Sequence, residues 1–228
     1  MKKLIIIPAY NEEENIVNTV KDISENAQDF DYIVINDCSK DSTLEVCRKN
    51  RIRIIDLPIN LGIGGAVQTG YLYALENGYD CAVQVDGDGQ HEAKYLKIMA
   101  ECMEKESLDM VIGSRFIENE GFQSTGLRRF GIRFFTVLIK LLYGKKITDA
   151  TSGMRMCNRK VMELFVKDYP RDYPEPETVA RLLRHKMKVK EMPVIMRERS
   201  AGVSSISLGK SAYYMVKVSL AILIERLR

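Results

Sequence analysis

Short apolar runs rich in β-branched residues alternate with helical stretches over the first half of the chain, and this alternation restricts the fold more than any other feature. Residues 4–7, 32–35, 53–57, 81–85 and 110–112 read as strands, and 13–26, 42–49, 64–77 and 94–105 as the helices between them. Strands that are apolar throughout are buried on both faces. The expectation is therefore an α/β domain of Rossmann-like type, a mostly parallel sheet with helices on both sides. In such sheets ligands gather beyond the carboxyl ends of the strands. Loops 8–14, 36–42, 58–65 and 86–91 lie at those ends, and each is polar or glycine-rich, the pattern of one shared site.

A chain of 228 residues can bury one sizeable core, so a single domain over 1–207 is expected. Residues 208–228 then form a C-terminal helix, apolar nearly all round, with Glu225, Arg226 and Arg228 at its end. After residue 114 the rhythm changes. A basic, aromatic segment (127–143) precedes a stretch holding Pro170, Pro174 and Pro176, a helix over 177–186 and a late strand over 189–196. The first apolar run is too short for a signal peptide, and Pro8 is expected to end it. The longest apolar stretch, 212–224, is interrupted by Lys217 and falls short of the ~20 residues that span a bilayer. The five cysteines (Cys38, Cys47, Cys81, Cys102, Cys157) include no Cys-x-x-Cys pair and read as free thiols of a reducing cytoplasm.

A net charge of +3 is too small to argue for nucleic acid, but its distribution is uneven. Between 121 and 148 there is no acid, while Arg128, Arg129, Arg133, Lys140, Lys145 and Lys146 fall there. Acids are absent again from 199 to 224, which holds Arg199, Lys210 and Lys217. Such stretches suit phosphates or an acidic membrane surface, or are simply solvated basic faces.

The strand-end loops carry the chemistry. Asp86-Gly-Asp-Gly-Gln-His91 follows the fourth strand, and two acids at i and i+2 suit a hard cation such as Mg²⁺ or Mn²⁺, or form a solvated acidic turn. His91 reads as a ligand or as a hydrogen-bonding neighbour. The loop lacks the later acids of an EF-hand. Gly62, Gly64 and Gly65 open a helix after the third strand, not the first, which excludes a dinucleotide fingerprint. In Pro8-Ala-Tyr-Asn-Glu-Glu-Glu14, Asn11 is positioned to cap a helix with Glu14 in its first turn. In Asn36-Asp-Cys-Ser-Lys-Asp-Ser-Thr43, Asp37 can accept hydrogen bonds from a base or ribose, and Asp41 and Ser42 can start a helix. Gly113-Ser-Arg115 ends the fifth strand, and Thr148-Asp-Ala-Thr-Ser-Gly-Met-Arg155 follows later.

In this order the six motifs resemble those of the family 2 glycosyltransferases with a GT-A fold, in particular the polyprenyl-phosphate and dolichyl-phosphate sugar transferases. The resemblance runs from about Leu4 to Ser207. It implies nucleotide contacts from Pro8, Tyr10, Glu12, Asp37, Gly64 and Asp86, and a metal at Asp88 assisted by Asp86, with Gln90 nearby. It further implies that Arg115 faces phosphate and that Asp149 is the acceptor-side carboxylate. Arg155 is structural or phosphate-facing, Arg128, Arg129 and Arg133 meet the acceptor phosphate, and Arg199 lies in a late loop that closes over the nucleotide. The chain departs from the pattern at Asn36 (for an acid), Cys38 (for glycine), Met154 (for phenylalanine) and Ile132-Arg-Phe-Phe-Thr136 (for Ser-Arg-x-x-Asn).

The implied activity is metal-dependent (Mg²⁺ or Mn²⁺), inverting transfer of a sugar from a UDP- or GDP-sugar to polyprenyl phosphate at the cytoplasmic membrane face. A lipid phosphate arrives mostly anionic and needs no general base, which leaves Asp149 to orient it. A saccharide hydroxyl, the rival acceptor, would need Asp149 as base, or Glu175 or Glu177. The C-terminal helix would lie in the interface, pack on the domain or dock on a small membrane protein, and a homo-oligomer is compatible. A sugar nucleotidyltransferase is less favoured, because its glycine-rich basic first loop is missing; a non-catalytic nucleotide-binding scaffold is the remaining alternative.

Overall fold

The computed structural model describes residues 1–118, 120–122, 126–198 and 208–228, the side chains at 127–128 and 208–212 excepted. Strands β1 (Lys3–Ala9), β2 (Asp31–Asn36), β3 (Ile54–Asp56), β4 (Cys81–Gln84) and β5 (Met110–Ser114) alternate with helices α1 (Ile16–Asn26), α2 (Thr43–Lys49), α3 (Gly62–Glu76) and α4 (Lys94–Lys105). Then come α5 (Gly126–Tyr143), β6 (Arg155–Asn158), α6 (Arg159–Lys167), α7 (Pro174–Arg184), β7 (Val189–Pro193) and α8 (Leu208–Leu227). They build one sheet of order β3-β2-β1-β4-β6-β5-β7, parallel except for β6, which runs antiparallel between β4 and β5.

The fully apolar β1 is buried on both faces, as its sequence requires. Leu4 and Ile6 pack toward α3, α5, α6, α7 and α8, through residues such as Tyr71, Phe135, Phe165, Val179 and Ile222. Ile5 and Ile7 pack on the other face against Ile16 and Ile23 of α1, Cys47 of α2 and Leu96 and Met99 of α4. All five cysteines are free thiols.

Several expectations change. Pro8 does not end β1, which continues to Ala9 with Pro8 opposite Ile35 of β2. The missing N–H costs no ladder bond, because pairing with β4 stops at Ile6, and the Pro8 carbonyl accepts from Gly87 N–H instead (3.3 Å). Asn11 does not cap α1, which starts later, at Ile16. Asn11 takes a left-handed backbone (φ 58°), and its side chain accepts from Lys40 N–H (2.8 Å), joining the first two loops. Strand β6 and helix α6 were not foreseen. Arg155-Met-Cys-Asn158 shows no strand pattern, and only antiparallel insertion between two buried strands makes it one. The late strand stops at Pro193, short of 196, and Met196 makes an isolated bridge to His91. Helix α7 starts at Pro174, where proline lacks only an N–H that the first turn leaves unpaired anyway. Helix α8 packs on the domain, one of the placements expected for it. Val218 and Ile222 join the core, and buried Glu225 pairs with Arg181 (2.9 Å) and Arg184 (3.2 Å) of α7.

Glycine lets two close approaches happen. A Cβ on Gly70 of α3 would lie 2.3 Å from Ile6 Cγ2, and one on Gly64 would lie 1.9 Å from the Pro170 carbonyl oxygen. The second obstacle is backbone and cannot swing aside. Gly64→Ala is expected to cost about 3 kcal/mol, at the upper end for overpacking. Its melting temperature should fall by roughly 6–12 °C. Gly126→Ala, whose Cβ meets nothing within 4 Å, should melt like wild type. Equal melting curves for the two variants would refute this account of the α3 packing.

Candidate active site

The parallel strands end at one edge of the sheet, where the turn after β4 is held from several sides. Val85 N–H donates to the Ile6 carbonyl (3.0 Å), and Thr19 Oγ1 donates to the Gly87 carbonyl (3.1 Å). Gly89 supplies the left-handed residue (φ 75°) that closes the turn, and Asp88 Oδ1 accepts from Gln90 N–H (3.1 Å). Asp86 Oδ1 accepts from Gln84 Nε2 (2.8 Å). Gly153 backs the same carboxylate so closely that a Cβ there would sit 2.7 Å from Asp86 Oδ2. His91 is buried beneath the turn, its Nδ1 accepting from Asp86 N–H (3.0 Å), which makes it a support of the turn.

Asp86 and Asp88 are part-exposed carboxylates on one tight turn, an all-oxygen donor set. Among the described residues no group of three His, Cys, Asp or Glu side chains converges. A cation held by this turn would therefore take most of its ligands from phosphate or water. Mg²⁺ and Mn²⁺ accept that arrangement, so the residues fit such an ion.

Arg115 and Asp149, expected to act on phosphate and acceptor separately, meet each other. The carboxylate is fully buried and receives Arg115 Nε (2.7 Å), Nη2 (2.8 Å) and backbone N–H (3.2 Å). This is the two-point fork that a guanidinium and a carboxylate form best. Burial alone would lower the Arg115 pKa, but the Asp149 hydrogen bonds and charge outweigh it and hold the pKa above its ordinary value. Nε and Nη2 of Arg115 are thus engaged, Nη2 also by Thr151 Oγ1 (3.2 Å), while Nη1 donates to no described residue. The charge of Asp86 also acts on Arg115 and adds to this upward shift of its pKa.

Two further residues do structural work at the N-terminus of α3. Asp37 is buried and accepts from Leu61 N–H (2.6 Å) and Gly62 N–H (2.9 Å), so the chain's own carboxylate occupies the positive N-terminus of α3. Gly64 N–H donates to the Arg171 carbonyl (3.1 Å) and packs on the 170–171 backbone, the work of a packing glycine. Glu12 is buried with its carboxylate on Asn15 Nδ2 (2.7 Å), Pro8 is buried in β1, and Tyr10 is exposed at the mouth. Asp41 starts α2 by accepting from Thr43 N–H (3.0 Å). Arg155 is fully buried and spends its donors on the carbonyls of Ala150, Ser152 and Glu175 and on Thr178 Oγ1, which is a structural role. Part-buried Arg129 and exposed Arg133 lie on the first turns of α5, and Thr136 Oγ1, one turn on, donates to the Thr148 carbonyl (3.3 Å). Arg128 lies on the same turns. Arg199 lies outside the described residues. Sequence reasoning missed Glu191, which accepts the backbone N–H groups of Thr148 and Asp149 (2.7 Å each). A lone acid in a strand was the only signal.

The chain has relatives among known proteins. The chain is 30% identical over 196 residues to an uncharacterized protein of Methanocaldococcus jannaschii, covering 83% of this chain and 79% of that one. It is 27% identical over 228 residues to polyprenol monophosphomannose synthase of Mycolicibacterium smegmatis, covering 96% and 86%. The fold is that of glucosyl-3-phosphoglycerate synthase from Mycobacterium tuberculosis, solved with Mn²⁺, UDP and phosphoglyceric acid (TM-score 0.74, 16% identity, 99% of this chain and 78% of that one). The model of glycosyl transferase family 2 matches residues 4–165, well over half of the sequence and every strand-end loop described above except those after β6. The chain therefore belongs to glycosyl transferase family 2, and it is a glycosyltransferase with a GT-A fold.

Proposed function

We propose that this glycosyltransferase moves a sugar from a UDP- or GDP-sugar to a polyprenyl phosphate, with inversion and with Mg²⁺ or Mn²⁺, at the cytoplasmic membrane face. One observation carries the choice of acceptor. Asp149 is buried and bound at both oxygens by Arg115, so it is not free to remove a proton. Of the other base candidates, Glu177 faces Arg181 (3.4 Å). An acceptor that needs no base suits such a site, and a phosphate monoester, already anionic near neutrality, is one. The M. smegmatis relative, whose name specifies a polyprenol phosphate, supports the same class.

In this reading the nucleotide lies between the loops after β1 and β2, against Tyr10 and Glu12, and its diphosphate reaches the Asp86–Asp88 turn. A divalent cation bound there would supply Lewis-acid neutralisation of the departing diphosphate. Arg115 Nη1 adds a fixed cation to that end, and Asp149 keeps it aimed. Arg128, Arg129 and Arg133 draw in the acceptor phosphate. One of its oxygens attacks the anomeric carbon from the face opposite the diphosphate. The new C–O bond forms as the old one breaks, the electron pair leaves on the diphosphate, and the configuration inverts.

The membrane location is supported by the outward faces of two packed helices. Phe130, Phe134, Val137 and Leu141 of α5, and Tyr213, Val216, Leu220 and Leu227 of α8, recur at spacings of three, four or seven and are all exposed, Leu141 by 78%. Two such exposed apolar stripes suit burial in a membrane interface. Exposed Arg133 and Lys140 border it, and no acid falls between 121 and 148, a charge pattern suited to anionic headgroups. Among the described residues no helix is long and apolar enough to cross a membrane.

Three measurements test this reading. Incubation with radiolabelled UDP- and GDP-sugars and polyprenyl phosphate should yield an organic-extractable product, and no lipid-linked product from any donor would refute the acceptor assignment. In calorimetry with UDP or GDP and Mn²⁺, Asp88→Ala should weaken binding by about tenfold or more, a loss of about 1.4 kcal/mol. Undiminished affinity that ignores the cation would refute the metal site. In flotation with phosphatidylserine-containing vesicles, Phe134→Glu with Leu220→Glu should leave the protein at the bottom of the gradient while wild type rises. Flotation of both alike would remove the helical pair from the interface.

A further inference from the structure

Glu191 stands on β7, the edge strand, yet its carboxylate turns inward. Oε2 accepts Thr148 N–H (2.7 Å), and Oε1 accepts both Asp149 N–H (2.7 Å) and Thr148 Oγ1 (2.9 Å). Thr148 Oγ1 has one hydrogen and gives it to the carboxylate, so the 2.8 Å contact with Ser114 Oγ must be donated by Ser114. Ser114 is the neighbour of Arg115, as Thr148 is of Asp149. A single carboxylate thus sets the backbone carrying Asp149 and, through two hydroxyls, the strand end carrying Arg115.

We infer that Glu191 is a positioning residue of the transfer reaction, whose ionised carboxylate holds the Asp149–Arg115 pair at the geometry that leaves Arg115 Nη1 toward the substrate. The inference rests on the reading that this pair serves the reaction. As an anion the carboxylate accepts all three donors on its two oxygens. An amide would turn an N–H toward Thr148 N–H or Asp149 N–H, and a protonated acid would give its hydrogen to Thr148 Oγ1 and so reverse the hydroxyl relay to Ser114. Outside β7 a groove of about 580 Å³ runs past Glu191, lined by Lys145, Lys146, Lys188 and Lys190 with Glu106. On the inner side the charged groups are Asp149 and its partner Arg115. Burial pushes the Glu191 carboxyl above its ordinary range, with the Asp149 charge adding to this and the three donors opposing it. Its ionisation is therefore lost at a higher pH than for an ordinary glutamate. The stability it contributes has the opposite sense: it is greatest below the unfolded pKa and declines as pH rises through the folded one.

The test is turnover read as nucleoside diphosphate released from a UDP- or GDP-sugar with Mn²⁺ and polyprenyl phosphate, as a function of pH. Glu191→Gln should lower kcat by about tenfold to a hundredfold, the scale of a misplacement of about 1 Å, while the donor KM changes little. Beside the acid limb that the acceptor phosphate sets in both proteins, the wild-type kcat profile should show a second acid ionisation that the variant lacks, which a merely structural loss would not cause. If Glu191→Gln does not fold, Thr148→Val replaces it. That variant keeps both backbone bonds and loses only the hydroxyl relay, and it should lower kcat with an unchanged donor KM. Asp149→Asn separates the two levels of the argument. Turnover abolished in Asp149→Asn but of wild-type rate and pH profile in Glu191→Gln, or in Thr148→Val where that variant is the one used, would overturn the role of Glu191 alone. Full turnover in Asp149→Asn would overturn the role of the pair.

Discussion

The ion pair between Arg115 and Asp149 is the contact on which the site depends. It joins the end of β5 to the segment that enters β6, the one antiparallel strand. A carboxylate with no exposed surface is stable only with its charge matched and its oxygens filled, and the two-point fork does both. Removing either partner would leave a buried charge, a cost of about 3–5 kcal/mol. The pair therefore serves the fold and the chemistry together. It fixes the 149–153 segment, whose Gly153 in turn backs Asp86 of the acidic turn.

The same economy recurs at the other strand ends. Asp37 lies where an anion-binding site would be read from sequence, and it closes the N-terminus of α3 with its own charge. Asn11 reaches from the first loop to the second, and Asp41 both starts α2 and accepts Glu13 N–H (3.1 Å). The polar residues that mark the loops as a site are thus largely spent on one another. Asp86 and Asp88 keep part-exposed carboxylates and Tyr10 an exposed ring. A rigid frame of polar groups held by one another is what preorganised electrostatic catalysis requires.

Much of this was legible in the sequence. The five strands and four helices of the first half followed from apolar periodicity, and Asp86-Gly-Asp-Gly falls at a strand end as that reading required. Pro8 was misjudged because proline is excluded from a central strand only where its missing N–H would have a partner, and β4 has ended by that point. Strand β6 was invisible because four residues with two apolar side chains show no period. Which of its expected placements the C-terminal helix takes follows only once Arg181 and Arg184 are set beside Glu225.

By itself the sequence determined the alternation of elements, the sheet type, the family and the set of loops that form the site. Those properties rest on side-chain periodicity and on residues close together in the chain. Only the tertiary structure decided which charge answers which: Arg115 to Asp149 across 34 positions, Thr148 to Glu191 across 43, Leu61 to Asp37 across 24. Such pairings follow from strand order, and an order that sets β6 between β4 and β5 is chosen by the packing of the whole core rather than by any local pattern.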